Sequence, residues 1–414
     1  MAAGERGVSG DGSLFEKLGE LVGPGAVERD PHGLPRVAPD SAEGLAQVCR
    51  EAQARDWRIR IEGRGSWLAA DAPADLALST RSLDKIVALS AADLVATVQA
   101  STSLERLRRA LHEAGLWLAI DPPGHPERSI GSVVATGTSG PLRQGFGPVR
   151  DHVLGVSVVT GDGRLLEAGG RVVKNVAGYD LTKLQVGGFG AFGIITAVHL
   201  RLRAMLPADA TLLLAGPRDR LTHLGRELVA TGRPMAALEL FSPALAAGAE
   251  WTLALRLVGS AESVESEAAR LLEQASEGWQ RLAPDRAATF WSQAARGALG
   301  GAIAIRLGSV LDGLDELLDL LHQQVGEGLV SAGAGTGSVR WSGTAGADRI
   351  RELRRLTAAR EIPLTLERAP WDLRRRLGHF GAYREGVGQL VGRLREAFDP
   401  TARLQIAIEG ADGD

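Results

Sequence analysis

The stretch SIGSVVATGTSGPLRQGFGPVRD, Ser129–Asp151, decides how the rest of the chain is read. It holds few large apolar residues, many Gly, Ser and Thr, and two arginines, Arg143 and Arg150. It separates an amphipathic helical pattern from a strand-like run, HVLGVSVVT (His152–Thr160). A long loop of this composition presents backbone N–H groups with few side chains in the way, which suits close approach to a phosphate or pyrophosphate. An ordinary surface loop has the same composition, so the choice falls to the flanking segments.

Upstream, Pro39-Asp40-Ser41 caps a helical pattern, AEGLAQVCREAQARD, that leads into an alternating strand, WRIRI (Trp57–Ile61), and a sharp Gly-containing turn, EGRGSW (Glu62–Trp67). DLALST, KIVALS and LVATVQAST read as further strands. Thr102-Ser103-Leu104-Glu105 has capping-box spacing and opens a helix to about Ala114. Pro122-Pro123-Gly124 fixes a bend before Ser129. Downstream, VLGVSVVT and RLLEAG form a hairpin about Gly161-Asp162-Gly163, and IITAVHLRLRA (Ile194–Ala204) closes the unit.

The second half alternates differently. TLLLAG, AALELF, WTLALRLVG and GAIAIRLG read as strands between the helical segments GPRDRLTHLGRELVATG, SAESVESEAARLLEQASE and DGLDELLDLLHQQVGEG. That order fits a split βαβ, ferredoxin-like α+β domain, with room for two related halves. GAGTGSVRWSG adds a strand, and the Arg-rich helix ADRIRELRRLTAAR reads as a solvated or partner-facing surface.

Composition narrows the classes. The 414 residues suffice for two or three domains, and 44% apolar with 23% charged residues is globular. A net charge of −3 argues against nucleic acid or an anionic membrane as a charge-driven partner. No apolar run reaches membrane-spanning length, and MAAGERGVSGDG lacks a secretory pattern, so a cytoplasmic location is expected. Cys49 is the only cysteine, so the chain forms no internal disulfide and holds no cluster needing several thiolates.

Gly188-Phe189-Gly190-Ala191-Phe192-Gly193 fits G-x-G-x-x-G, the dinucleotide fingerprint. The fingerprint works after a strand and before a helix. Here a helical pattern (Asp180–Val186) precedes and a strand follows, so the Rossmann reading fails. Gly333–Gly337 lacks the spacing of a P-loop.

Taken in order, the capped helix, the strand, the Gly turn, PPGHPERSIGSVVATGTSG and VRDHVLGVSVVTGDGRLLEAGG resemble the FAD-binding domain of vanillyl-alcohol oxidase (PCMH-type) flavoproteins. VVKNVAGYDLTKLQVGGFGAFGIITAVHLRL is similar to the E subunits of bacterial glycolate oxidases (glycolate dehydrogenases). The resemblance runs from about Val37 to Ala204 and more loosely beyond. It implies an α+β fold, with a two-subdomain PCMH-type FAD domain over 26–206 after a flexible 1–25. A ferredoxin-like cap follows over 207–370, and an arm over 371–414 returns to the FAD domain. Non-covalent FAD is the implied cofactor. Arg64, Gly65 and Ser66 would sit at the first turn, and Pro123, Gly124, Ile130, Gly131, Thr136, Ser139 and Gly140 along the second segment. Gly193, Ile194 and Ile195 would lie on the adenine or ribose side, and Asn175, Gly178, Tyr179 and Asp180 near the flavin, although Asp180 also reads as a helix cap.

The chain departs from that pattern in two places. GRGS has fewer glycines than the family's first turn, and FDPTARLQ replaces the family's Asn-bearing C-terminal segment. His125 is the one candidate for covalent flavin attachment. The implied partners are a homologous FAD-containing catalytic subunit and an iron–sulfur subunit, with membrane contact only through them and a small 2-hydroxy acid as substrate of the complex.

Oxidising a 2-hydroxy acid needs a base for the hydroxyl proton and a cation for the carboxylate. The eight histidines lack the paired spacing of metal-using relatives, so no metal is expected; His379, beside Arg374–Arg376, is the best placed candidate base, but a structural role is favoured for it and no catalytic residue is assigned. Three roles fit these residues: an FAD-bearing electron-relay subunit of a glycolate-type dehydrogenase, a structural assembly subunit, and a stand-alone FAD-dependent 2-hydroxy-acid dehydrogenase.

Overall fold

The computed structural model describes residues 11–68, 70–170, 180–273, 278–297, 299–381, 383 and 386–406. Two larger sheets and a two-stranded one, Arg203–Ala204 against Leu116–Trp117, build the first part. Val27–Arg29, Pro35–Val37, Leu76–Ser79 and Ile59–Glu62 form a four-stranded mixed sheet, in the spatial order 27–29, 35–37, 76–79, 59–62. The helix Ala42–Ala54 buries Leu45, Val48, Cys49 and Ala52 against it, and Ser41 Oγ accepts from Gly44 N at its start. Burial pushes the Cys49 thiol up to about 12, so it is an inert core residue.

A five-stranded antiparallel sheet follows, in the order Ile86–Ser90, Val95–Gln99, Ile194–Arg201, Val153–Val159, Leu165–Gly169. The runs KIVALS, LVATVQAST and the Gly161–Gly163 hairpin thus take the strand roles expected of them, whereas the run expected as one strand over Ile194–Ala204 ends at Arg201, and Arg203–Ala204 pairs separately with Leu116–Trp117. Near the C-terminus the chain comes back to the first sheet, where Leu404 bridges Ile59 in parallel and Gln405 N donates to Ile59 O.

The second part is one eight-stranded antiparallel sheet, ordered 280–281, 208–216, 251–259, 237–241, 329–333, 338–343, 303–308, 364–368. Each half has the 4-1-3-2 strand order of a split βαβ unit, and the two halves join where Ala237–Phe241 pairs with Leu329–Gly333. Successive strand residues point to opposite faces. One face therefore carries Leu238, Leu240, Leu253, Leu255, Val339 and Trp341 into the core beneath the helices. The residues between them, including Glu239, Arg256, Ser331, Arg340 and Glu367, turn toward the first part.

Four further expectations need correction. Residues 11–22, expected to be loose, form a helix, because Leu14, Phe15, Leu18 and Leu21 make an apolar stripe and Leu18 is fully buried. The cap of the helix Leu104–Glu113 is Ser103, whose Oγ accepts from Arg106 N; Thr102 instead donates its hydroxyl to Lys85 O. The Ser129–Asp151 stretch is not a bare loop but holds two helices, Ile130–Thr136 and Arg143–Phe146. In the Arg-rich helix Ala347–Ala358, Arg354 is buried and donates to the carbonyls of Leu377 and Gly378.

Candidate functional site

A cavity of about 370 Å³ opens where the two larger sheets of the first part meet. Three segments far apart in sequence supply much of its wall. The first is the turn after Ile59–Glu62. Gly65 has φ +70° with open space where a Cβ would stand, and Arg64 and Ser66 flank it on the same wall. Arg64 Nη2 reaches Glu127 Oε2 at 2.7 Å.

The second wall is the helix Ile130–Thr136. Ser129 Oγ accepts from Ser132 N, and Ile130, Val133 and Val134 fix the helix in the core. The Ile130 and Gly131 N–H groups donate to Thr102 O and Ala100 O, so they are not bare donors. Gly131 is needed for packing: an added Cβ would lie 2.8 Å from the Ala100 Cβ and 2.9 Å from its oxygen. Ser132, Thr136 and one edge of Gly131 face the cavity, while Ile130 faces the core.

The third wall is the glycine run that fits the dinucleotide fingerprint. The helix Leu181–Gln185 precedes it and the strand Ile194–Arg201 follows, so its context is inverted as expected. Gly193 has φ +118°, and a Cβ there would meet Val159 O at 2.8 Å, so only glycine allows this strand entry. Gly193, Ile194 and Ile195 line the cavity, joined by Phe189 and Gly190.

Behind these walls lies Arg128, fully buried. It donates to Pro123 O (2.7 Å), Ser132 Oγ (3.2 Å) and Thr136 Oγ1 (2.6 Å), all neutral acceptors. Its guanidinium carbon sits 3.9 Å from the centroid of the Trp67 ring. Among the described residues no carboxylate lies within ion-pair distance of it. Burial pushes its pKa down to about 9, so at neutral pH it still holds a cation behind the cavity wall. Arg36 and Arg60, by contrast, share Glu62, and Arg60 also reaches Asp30.

Other expected residues lie elsewhere. Pro123 and Gly140 line a small cavity of about 40 Å³ toward the eight-stranded sheet. Gly140 is also a packing glycine, since a Cβ would fall 2.0 Å from Asp121 O. Gly124 lines a third cavity, and Ser139 accepts Arg340 Nη2 on its carbonyl at 3.3 Å. Asp180 caps the helix Leu181–Gln185 by accepting from Lys183 N, and its carboxylate is exposed and paired with Lys183. Asn175, Gly178 and Tyr179 lie outside the described residues.

Comparison with known proteins bears on this geometry. Residues 35–169 match the FAD binding domain family FAD_binding_4. Glycolate oxidase subunit GlcE of Escherichia coli K12 is 32% identical over 252 residues, covering 59% of this chain and 68% of that protein. The chain belongs to this FAD-binding oxidoreductase family. D-2-hydroxyglutarate dehydrogenase of Xanthomonas citri pv. viticola is 36% identical over 190 residues, covering 45% of this chain and 40% of that protein. The solved structure of 4-ethylphenol oxidase from Gulosibacter chungangensis superposes with a TM-score of 0.74 over 99% of this chain and 98% of that one, at 14% identity, which speaks to the fold.

FAD is thus the cofactor of this flavoprotein, and the three-walled cavity fits it: a glycine turn without a Cβ, hydroxyls on Ser66, Ser132 and Thr136, and a cation behind them. Several residues at the cavity are not marked out individually in the sequence, although an arm over 371–414 is expected to return to this domain. Arg374, Gln405 and Ile406 reach the cavity from the last segment of the chain, and Arg128 and Trp67 meet only through the fold.

His379, the candidate base, is not available to a substrate. It is buried, its Nδ1 sits 2.7 Å from Leu366 O, and its ring stacks on Phe189 with centroids 4.0 Å apart. Burial pushes its pKa down to about 3, so it is a neutral packing residue behind the flavoprotein's cavity. Two buried carboxyls, Asp121 of the first part and Glu239 on the eight-stranded sheet, are shifted the other way. Burial raises Asp121 to about 7 and Glu239 to about 8. Among the described residues no group of three or more His, Cys, Asp or Glu is placed to hold a metal ion, and no helix is long and apolar enough to cross a membrane.

Proposed function

We propose that this flavoprotein is the FAD-binding subunit of a multi-subunit glycolate dehydrogenase, relaying electrons to or from a homologous FAD-containing catalytic subunit and an iron–sulfur subunit. The observation that carries the reading is Arg128, a buried cation with only neutral partners behind a glycine- and hydroxyl-lined cavity. Such a charge favours an anionic group in the cavity, and the FAD pyrophosphate supplies one. Gly65, Ser66 and Ser132 would hold the pyrophosphate; Thr136, whose hydroxyl donates to Ser132 O and accepts from Arg128, would shape the adjoining wall with Arg64, Gly131, Gly193, Ile194 and Ile195. Pro123, Gly124, Ser139 and Gly140 stay on the flavin side of the proposal through the resemblance alone, as do Asn175, Gly178 and Tyr179. Bound FAD supplies a two-electron acceptor. Non-covalent binding is supported by the wall composition: among the described lining residues the only histidine is His32, there is no cysteine, and His125 lines a different cavity. Glycolate and a multi-subunit assembly are supported by the similarity to a glycolate oxidase subunit; the iron–sulfur partner and a peripheral place at the inner membrane rest on the family resemblance alone. The proposed domain division is 26–206 for FAD, 207–370 for the cap and 371–414 for the returning arm.

A second reading, catalysis by this chain alone, has one observation in its favour. Asp121 and Glu239 have pKa values close to neutrality, as proton-transfer groups need.

The test is to purify the chain alone, record its visible spectrum, and compare it with Gly65→Asp. A Cβ at that position meets no protein atom, and Asp tolerates the left-handed φ of +70° better than most residues, so its carboxylate should expel flavin at a modest cost in stability. Stoichiometric flavin in Gly65→Asp would overturn the pyrophosphate assignment. Anaerobic addition of glycolate should leave the isolated chain's flavin oxidised; bleaching would establish the second reading instead.

A further inference from the structure

A cavity of about 450 Å³, distinct from the one assigned to FAD, lies at the junction of the two parts of the chain. Its floor is the helix Leu104–Glu113 and the strand Leu116–Trp117, and its roof is the helix Pro284–Gly297. That roof is unusual for an amphipathic helix. None of its described residues is fully buried, although Phe290 and Trp291 pack edge-on against Phe241. Its apolar face covers a hollow instead of a solid core.

The hollow has apolar walls with a few convergent polar groups, the usual make-up of a small-molecule site. Trp117, Trp291 and Leu111 supply surface for an apolar body. Two arginines open onto it. Arg256 is neutralised by Asp209, which accepts both its Nε, at 3.0 Å, and its Nη2. Arg108 makes no such ion pair: among the described residues its hydrogen bond is Nη2 to the Ile120 carbonyl at 3.1 Å, the rest of its fork is open to solvent, and the Asp121 carboxyl acts on it only through space. Asp121 closes one end and accepts Leu142 N on both oxygens. We propose that this cavity binds an organic monocarboxylate with an apolar body, its carboxylate on Arg108 and its body between Trp117 and Trp291. A planar guanidinium with most of its N–H groups uncommitted matches a carboxylate fork. The small glycolate skeleton would leave the aromatic walls uncovered, so the ligand class is larger than the substrate proposed above. Gly124, placed on the flavin side by the resemblance, borders this cavity, but Arg108, Trp117 and Trp291 line it and not the cavity assigned to FAD.

The probe is 3-phenylpropionate, titrated into the full-length protein and followed by calorimetry, with phenethylamine as the cationic counterpart. Saturable binding of the carboxylate and none of the amine is expected. Arg108→Gln should weaken it by about tenfold or more. Ala288→Trp, on the cavity side of the roof, should abolish it while flavin content stays at the wild-type level; Ser292→Trp repeats that test if Ala288→Trp fails to fold. Absence of saturable binding into the millimolar range, equal binding of the amine, or binding that survives both the charge and the filling substitutions would overturn the proposal.

Discussion

The guanidinium of Arg128 lies over the indole of Trp67, 3.9 Å from the ring centroid, and the Trp67 N–H donates to the main-chain carbonyl of Glu367 at 3.1 Å. One stack therefore joins the first glycine turn, the start of the second cavity wall and the eight-stranded sheet. A buried cation–π contact of this kind contributes about 2 kcal/mol when desolvated.

If the charge of Arg128 acts on the cofactor, Arg128→Met and Arg128→Lys should differ. Both lose the fork that serves Pro123, Ser132 and Thr136, and each should lower stability by about 1–3 kcal/mol. Only Arg128→Met removes the cation, so it should retain less flavin than Arg128→Lys through gel filtration. Equal flavin loss in the two variants would mean that shape, not charge, matters.

Gly131 and Gly65 should separate packing from ligand contact. Gly131→Ala places its Cβ against Ala100, and overpacking of this kind costs about 1–3 kcal/mol. Its melting temperature should fall by a similar amount with and without added FAD. A variant that melts like wild type in the flavin-free form would contradict the packing role.

These contrasts separate what is legible in the chain from what only the fold creates. The strands of the first part are legible because LVATVQAST and IITAVHLRLRA alternate, and the cap is legible because strands and helices follow a split βαβ order. The helix Ile130–Thr136 is hidden, because its Gly, Ser and Thr content is that of a loop; the Ser129 cap and the burial of Ile130, Val133 and Val134 outweigh that composition. Gly131 points correctly to close approach but not to what approaches, which is Ala100 of a neighbouring segment. Arg128 and Trp67 are 61 positions apart, and no local pattern brings them together.

Glu239 gives a pH dependence with a definite sign. Its carboxyl is buried, accepts the Ser331 hydroxyl, and is raised from 4.5 to about 8. Between those values the native state holds a proton that the unfolded chain has released, so stability falls as pH rises. Glu239→Gln keeps an acceptor for Ser331 and has no proton to lose. Its melting temperature relative to wild type should therefore increase from about pH 5 to about pH 9. A difference that stays flat across that range would refute the raised carboxyl.

Glu367 should behave in the opposite sense. It is fully buried and accepts Arg306 Nε at 2.7 Å and Arg340 Nε at 2.8 Å. Burial alone would raise its pKa, but the two guanidinium charges outweigh that and hold it at about 2, against an ordinary value of 4.5. The contribution is complete above the unfolded value and is lost as pH falls toward the folded one. Glu367→Gln leaves two arginines without their shared carboxylate, and breaking a buried pair in this way costs about 3–5 kcal/mol. Because Arg340 also donates to Ser139 O, the loss should loosen the junction between the two parts as well as the sheet. Denaturant unfolding should show the full gap between wild type and Glu367→Gln near neutral pH and a narrower one at about pH 3. An equal gap at both pH values would mean that the ionised carboxylate is not what stabilises this junction.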